Sequence, residues 1–213
     1  VDALSYLGFD VLELDYNRIG PIDERLKRKM ELLDGETGKR YSDAISESPA
    51  AVRPFTWTAF GRDEITTMRA FLEARKGRAV PFWLPSYQWD LTLSEDLLTD
   101  ATIASIVWIR YTQQMFGTTG ARRHVAIWTH GIPGGMSYYR IDDADDPGDG
   151  ETESLTIDPG ATQDFDAGET VISFLKLCRL DSDRVSISYP DTDHAEATIM
   201  VRELPLEAPT EGS

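Results

Sequence analysis

Few side chains in this sequence have both the type and the spacing that chemistry requires. There are three histidines, His124, His130 and His194. His124 and His130 fall on one expected strand at even separation, so both point to the same face. At about 3.3 Å rise per residue they lie roughly 20 Å apart, too far to share a metal. The single cysteine, Cys178, sits in the apolar run ISFLKLCRL and reads as a buried, inert thiol. One cysteine also excludes an internal disulfide and a Cys-rich zinc site. GETGKR, residues 35–40, lacks the glycine spacing and the Ser/Thr of a phosphate loop and reads as a hairpin turn. No G-x-S-x-G, H-E-x-x-H or C-x-x-C motif occurs. DDADDPGDGETE, residues 142–153, gathers seven carboxylates. Calcium favours such oxygen-rich clusters, but Pro147 and Thr156 fall where an EF-hand needs ligands. The segment therefore reads as a solvated, self-repelling loop. No catalytic residue, metal ligand or cofactor site is expected.

The aromatics offer more. RAVPFWLPSYQWDL, residues 78–91, places Phe82, Trp83, Tyr87 and Trp89 around two prolines. Pro81 and Pro85 remove backbone donors, which confines the segment to a sheet edge or a crossing between units. Phe82 and Leu84 alternate with Trp83, so one side is expected in a local core and Trp83 on the other. Phe82, Trp83, Leu84, Pro85, Tyr87 and Trp89 are thus the candidate interface residues, since partly exposed aromatics are interface material. On that reading Trp83→Ala weakens assembly more than folding.

Elements must position these side chains. RDEITTMRAFLEARKG, residues 62–77, is the clearest helix. Ile65, Met68, Phe71 and Leu72 share a face, acids occupy the first turn, and Arg75, Lys76 and Gly77 close it. Alternation predicts strands over 9–16, 25–34 and 53–60 before the helix. After residue 91 every expected element is a strand: 101–111, 122–130, 136–141, 152–157, 170–180, 184–189 and 195–204. Gly/Pro/Asp turns separate them, as in an antiparallel sandwich or barrel.

The charge is uneven. Residues 1–90 carry 13 Lys/Arg against 15 Asp/Glu, and residues 91–213 carry 8 against 22, within a total of −16. Such a chain is not built to grip phosphates, which need clustered cations. An acidic surface instead lets DNA pass without sticking. No apolar run approaches the roughly 20 residues of a membrane span. The first ten residues show no basic stretch before an apolar one, so a secretory leader is not expected.

FTWTAFGRDEITTMRAFLEARKGRAVPFWLPSYQWDLTL, residues 55–93, resembles minor tail proteins of long-tailed phages, of the distal-tail type. The shared features are an aromatic strand, an amphipathic helix ending at Gly-Arg, and an extended Phe-Trp-Leu-Pro segment followed by an aromatic and an Asp. RLDSDRVSISYPDTDHAEATIMVRELP, residues 179–205, is similar to the closing segment of such proteins. The resemblance implies a mostly β fold: a tail-tube-like sandwich or barrel with one flanking helix, plus a second all-β domain, galectin-like or OB-like. It implies a ring-forming domain over 1–91, to which 190–205 can return, a peripheral β-sandwich over 92–189, and a disordered tail over 206–213. The implied partners are copies of the chain itself in a hexameric ring, the tail tube protein and tail-tip hub proteins. DNA would pass the ring without specific binding, and the protein would be assembled in the host cytoplasm into the virion tail. The competing reading is a carbohydrate-binding β-sandwich module contacting host-surface glycans. An aromatic trio on an exposed strand face would favour it, with Trp128, Tyr138 and Tyr139 as candidates. An enzyme, such as a glycosidase, is the least supported reading.

Overall fold

The computed structural model describes residues 5–12, 25–27, 30–34, 40–44, 50–116, 122–130, 135–205 and 207–209. The fold is mostly β. Strands β1 (Ser5–Tyr6), β2 (Phe9–Asp10), β3 (Arg25–Lys27), β4 (Met30–Asp34), β5 (Arg40–Ala44) and β6 (Ala50–Phe60) precede helix α1 (Gly61–Ala74). Then follow β7 (Phe82–Pro85), β8 (Ile103–Val107), β9 (His124–Thr129), β10 (Ser137–Asp145), β11 (Thr152–Asp158), β12 (Thr170–Leu180), β13 (Ser186–Asp191) and β14 (His194–Glu203). A large antiparallel sheet contains most of them.

The chain divides into two compact units. The first combines 16–81 with 178–205, and the second combines 2–15, 82–177 and 206–213. These bounds differ from the division drawn from sequence. The passage out of the first unit falls after Pro81 rather than near residue 91, and the N-terminal segment belongs with the second unit. The return to the first unit comes at Cys178, ahead of residue 190.

In the first unit the order is β3–β6–β14 and then the last residues of β12, with β13 also pairing with β14. β6 and β14 form a long antiparallel ladder running from His194↔Phe60 to Arg202↔Val52. One face of that ladder is apolar because every second residue is: Phe55, Trp57 and Ala59 lie beside Ile199, Ala197 and Ala195, all buried. Helix α1 covers this face through Met68 and Leu72, with Phe71 meeting Trp57 edge-on at 5.8 Å. Glu64 accepts a hydrogen bond from the backbone N–H of Phe60 at 2.9 Å and tethers the helix start. The expected helix runs past the observed one. α1 stops at Ala74, and the cations expected in its last turn lie beyond it. Arg75 is buried and donates to the Pro81 carbonyl at 3.2 Å. Gly77 has φ +65°, and a Cβ there would sit 2.6 Å from Asp183 Oδ1. The close approach lets Asp183 accept from the Arg78 backbone N–H at 3.0 Å and pair with its guanidinium at 2.9 Å. Separately, β4 and β5 pair antiparallel on either side of 35–39, which lies outside the described residues, as does most of the GETGKR segment.

In the second unit the order is β12–β9–β10–β11–β8. Two isolated bridges, Leu91↔Ile172 and Leu93↔Ile106, link β8 back to β12. The strands therefore close on themselves as a small barrel, which removes the open edges. Its interior is filled by Leu91, Ile106, Ile127, Tyr139, Ile141, Phe165 and their neighbours. Each such buried side chain contributes about 1.5–3 kcal/mol. Not every element here is a strand: a π-helical turn, Thr112–Phe116, interrupts the pattern. The tail expected to be disordered is in part packed: Ala208 lies against a buried cluster and Pro209 accepts a hydrogen bond. Cys178 is buried and unbridged. Among the described residues no helix is long and apolar enough to cross a membrane.

Candidate functional site

The residues singled out between 82 and 89 converge on the outer face of β9. On that strand Val125 and Ile127 point into the barrel, so His124, Ala126 and Trp128 point outward, and His130 follows directly after its end. The 82–89 segment runs beside this row in step with it. Trp83 packs on His124 with ring centroids 4.8 Å apart, Tyr87 on Trp128 at 6.3 Å, and Trp89 on His130 at 5.9 Å. The result is a seam of paired rings that is sealed at one end and open at the other. Trp83 is 0% exposed and Trp89 is 48% exposed.

The six expected interface residues therefore separate. Phe82, Trp83 and Pro85 are buried, Leu84 and Tyr87 are half-buried, and only Trp89 is exposed. Trp83 cannot meet another chain as a free surface, contrary to the expectation from alternation. The reason is the N-terminal segment. Val11 bridges to Trp83, Leu12 N–H donates to the Trp83 carbonyl at 2.9 Å, and Trp83 Nε1–H donates to the Tyr6 carbonyl at 2.8 Å. A strand covered by a distant segment is buried on both faces, and local alternation cannot register that.

At the sealed end His124 is 1% exposed and both ring nitrogens are engaged. Nε2 lies 3.0 Å from the Pro209 carbonyl, which can only accept, so Nε2 carries the proton. Nδ1 then accepts from the Tyr6 hydroxyl at 3.0 Å. Burial, with further repulsion from Arg140 and Arg123, pushes the imidazole down to about 4, against a partial offset from the Pro209 carbonyl. Burial likewise raises the Tyr6 hydroxyl above the usual tyrosine range. His124 is thus a neutral structural residue.

A stability consequence follows from the depressed His124 value. The unfolded chain binds the proton near pH 6.5 and the folded chain only near 4, so protonation favours unfolding across that window. Stability is complete above about pH 6.5 and falls by about 3 kcal/mol as the pH drops to 4. Urea midpoints at neutral, mildly acidic and acidic pH should trace this loss. His124→Gln should flatten the slope, and an unchanged slope in that variant would assign the acid sensitivity to other groups.

At the open end the Ser86–Asp90 turn is held firmly. Ser86 donates to the Asp90 carboxylate, which also accepts from Phe174 N–H at 2.8 Å. Gln88 N–H donates to Ser86 Oγ at 3.1 Å, and Ser173 Oγ donates to the Gln88 carbonyl at 2.5 Å. Tyr87 takes φ +54°, an unusual conformation for a bulky residue, and its hydroxyl donates to the Leu12 carbonyl.

The acidic segment behaves differently from a uniform solvated loop. Glu153, its last carboxylate, is fully buried. It accepts from the N–H groups of Ile109 at 3.0 Å, Tyr111 at 2.9 Å and Thr112 at 2.7 Å, and from the Thr112 hydroxyl at 2.7 Å. Burial alone would raise its pKa, but these donors outweigh burial and hold it below the usual range. Glu153 thus caps the start of the π-helical turn. Asp149 accepts from the Glu151 and Thr152 N–H groups of its own turn at 2.7 and 3.0 Å. Asp146 accepts from Trp108 Nε1–H at 3.3 Å. Among the described residues no three His, Cys, Asp or Glu side chains stand close enough to hold a metal. His194 belongs to the first unit, stacked on Phe60 at 4.9 Å and 3.5 Å from Glu196.

No protein-family model matches this sequence, and no curated protein matches it.

Proposed function

We propose that this chain is a structural component of a phage tail tip, of the distal-tail type, forming a hexameric ring between the tail tube and the distal tip. The observation that carries this reading is the chain organisation. A β-sheet unit with one flanking helix is assembled from two separated stretches, 16–81 and 178–205, and a mostly β barrel unit is built from 82–177 between them together with 2–15 and 206–213. That arrangement fits the ring-forming domain and peripheral domain of the proteins that the sequence resembles. In this reading the β6–β14–α1 unit is the tail-tube-like part and the closed barrel is an OB-like second domain. The acidic excess lies mostly in the second half of the chain, which this reading places at the periphery of the ring, so it is not assigned to the channel. The partners are further copies of the chain, the tail tube protein and the hub proteins of the tip. The ring is assembled in the host cytoplasm and resides in the virion tail.

Native mass spectrometry of the purified protein, with negative-stain images of the same sample, tests this reading. Six copies in a ring with an open centre is the expected result. A strict monomer over a wide concentration range, in the presence and absence of purified tail tubes, would overturn it.

A further inference from the structure

We propose that His124 is the catch of an acid-released strap. It holds two end segments of the barrel unit, 5–12 and 207–209, together over the outer face of β9, and its protonation frees both. This goes beyond the ring reading and does not depend on it, since both segments and the face they cover belong to the barrel unit.

The first observation is where the segments meet. The Tyr6 hydroxyl reaches His124 Nδ1 at 3.0 Å from one side, and the Pro209 carbonyl reaches Nε2 at 3.0 Å from the other. Stretches far apart in the sequence are joined through one buried ring. The strap is otherwise slight. β1 and β2 form a two-stranded sheet of their own, while β8 to β12 close the barrel without them. Tyr6, Phe9, Val11 and Ala208 belong to a buried cluster distinct from the barrel interior. The strap can therefore lift while the barrel stays shut, as a unit of low local stability.

The second observation is that the catch works only when neutral. The Pro209 carbonyl needs a donor and the Tyr6 hydroxyl needs an acceptor, and a neutral imidazole supplies one of each. An imidazolium carries a proton on both nitrogens, so Nδ1 can no longer accept. The Tyr6 hydroxyl makes no other hydrogen bond among the described residues. Its ring is packed against those of Trp83, His124 and Tyr138 at 5.5 to 5.7 Å. Its proton would be left without a partner in a place shielded from water.

The third is the charge around the ring. Arg140 on β10 and Arg123, just before β9, both repel an imidazolium. Asp142 and Asp158 are committed to Arg140, at 2.5 and 3.4 Å. β7 brings no charge, and β12 brings Lys176 between Leu175 and Leu177. The strap's own acids, Asp10 and Glu207, are not among the groups that act on His124. No neighbour steadies the protonated ring in the closed state. The closed form holds the imidazole down to about 4, against 6.5 for a free one. The strap is thus shut above about pH 6.5, and the closed form loses about 300-fold against the open one as the pH falls to 4.

Hydrogen exchange of the full-length protein at neutral, mildly acidic and acidic pH, corrected for intrinsic rates, tests this. The reporter is the Leu12 N–H, bonded to the Trp83 carbonyl at 2.9 Å. It should be protected at neutral pH and lose that protection on acidification, while amides of β9 to β11 keep theirs. His124→Gln can donate to Pro209 and accept from Tyr6 without titrating, so its strap should stay protected throughout. Loss of strap and barrel protection at one pH makes the event global unfolding and refutes the strap. A strap that stays closed down to about pH 4, or opens in His124→Gln as in the wild type, refutes it too. If His124→Gln fails to close at neutral pH, the wild-type ring resonances decide. They must titrate where Leu12 loses protection, and titration elsewhere overturns the proposal. None of these outcomes bears on whether six copies form a ring.

Discussion

Trp83→Ala is expected to destabilise the barrel unit by about 4 kcal/mol, at the upper end of large-to-small core substitutions. Trp83 is fully buried, packs at tilted ring angles against Tyr6 at 5.5 Å and His124 at 4.8 Å, and donates its Nε1–H to the Tyr6 carbonyl. Truncation would leave a cavity bounded by Val11, Ala126, Leu175 and Leu177, which share its buried cluster. It would also leave the Tyr6 carbonyl without that donor. For a chain of this size the melting temperature should fall by about 8–16 °C. Trp83→Phe keeps the ring and loses the donor, so it should cost about 1–2 kcal/mol. The N-terminal segment should become protease-sensitive in the alanine variant, because its anchor is gone. Urea unfolding followed by circular dichroism decides the matter. A variant that folds with native stability and only fails to assemble would return Trp83 to the role alternation suggested for it.

Glu153→Ala should be comparably severe, at about 4 kcal/mol. Its carboxylate satisfies three backbone N–H groups and one hydroxyl in a place without exposure. Removing an ionised acceptor from several buried donors leaves each of them unsatisfied, at about 1–3 kcal/mol apiece before relaxation. The donors belong to residues 109–112, so the damage should be local first. Tyr111, fully buried and stacked on Phe174 at 6.1 Å, should loosen, which near-ultraviolet circular dichroism would detect. Glu153→Gln preserves shape but turns an amide donor toward N–H groups, and should recover little. The pH dependence has a definite sign. A carboxyl whose folded pKa is depressed contributes stability above its ordinary value and loses it as the pH falls through the lowered one. Below the window in which His124 titrates, the wild-type protein should therefore show a further acid loss of stability that Glu153→Gln lacks. Identical acid unfolding of the two proteins would show that Glu153 is not the group responsible.

Most of the strands were legible because their signal is local. β9, β11, β12 and β14 alternate, or run apolar between turn residues, and their bounds fall within a few residues of those read from pattern. α1 was legible for the same reason: Met68 and Leu72 share a face. What was not legible depends on pairing at a distance. The closure of the barrel rests on Leu91 and Leu93, two residues in a polar stretch whose partners lie at Ile172 and Ile106. The π-helical turn is specified by Glu153, some forty residues downstream, within a segment that looked merely acidic. The candidate site was half legible. The run of aromatics marked the right segment, but which of them would be exposed depended on residues 6–12 and 208–209 folding over one end. His124 was expected to share a strand with His130, but β9 ends at Thr129 and His130 lies just beyond it. Their division into a sealed and an open position was invisible.

The insertion of the barrel into the first unit also sets an order of events during synthesis. Ala59 pairs with Ala195 and Trp57 with Ala197, so β6 and α1 leave the ribosome long before their partner strand exists. At about 5–20 residues per second the gap is on the order of 10 s. Throughout it, Phe55, Trp57, Met68 and Leu72 have no β14 beside them. The barrel strands β8 to β11 emerge within that interval and can pair as soon as β12 follows them. The nascent chain can therefore pair its inserted strands before its enclosing sheet, while residues 206–213, which belong with the barrel unit, arrive last of all. The high contact order of the enclosing sheet makes its closure the slow step. Any quality-control factor that meets this protein meets it as a paired set of barrel strands, still without its C-terminal cover, trailing an unfinished sheet.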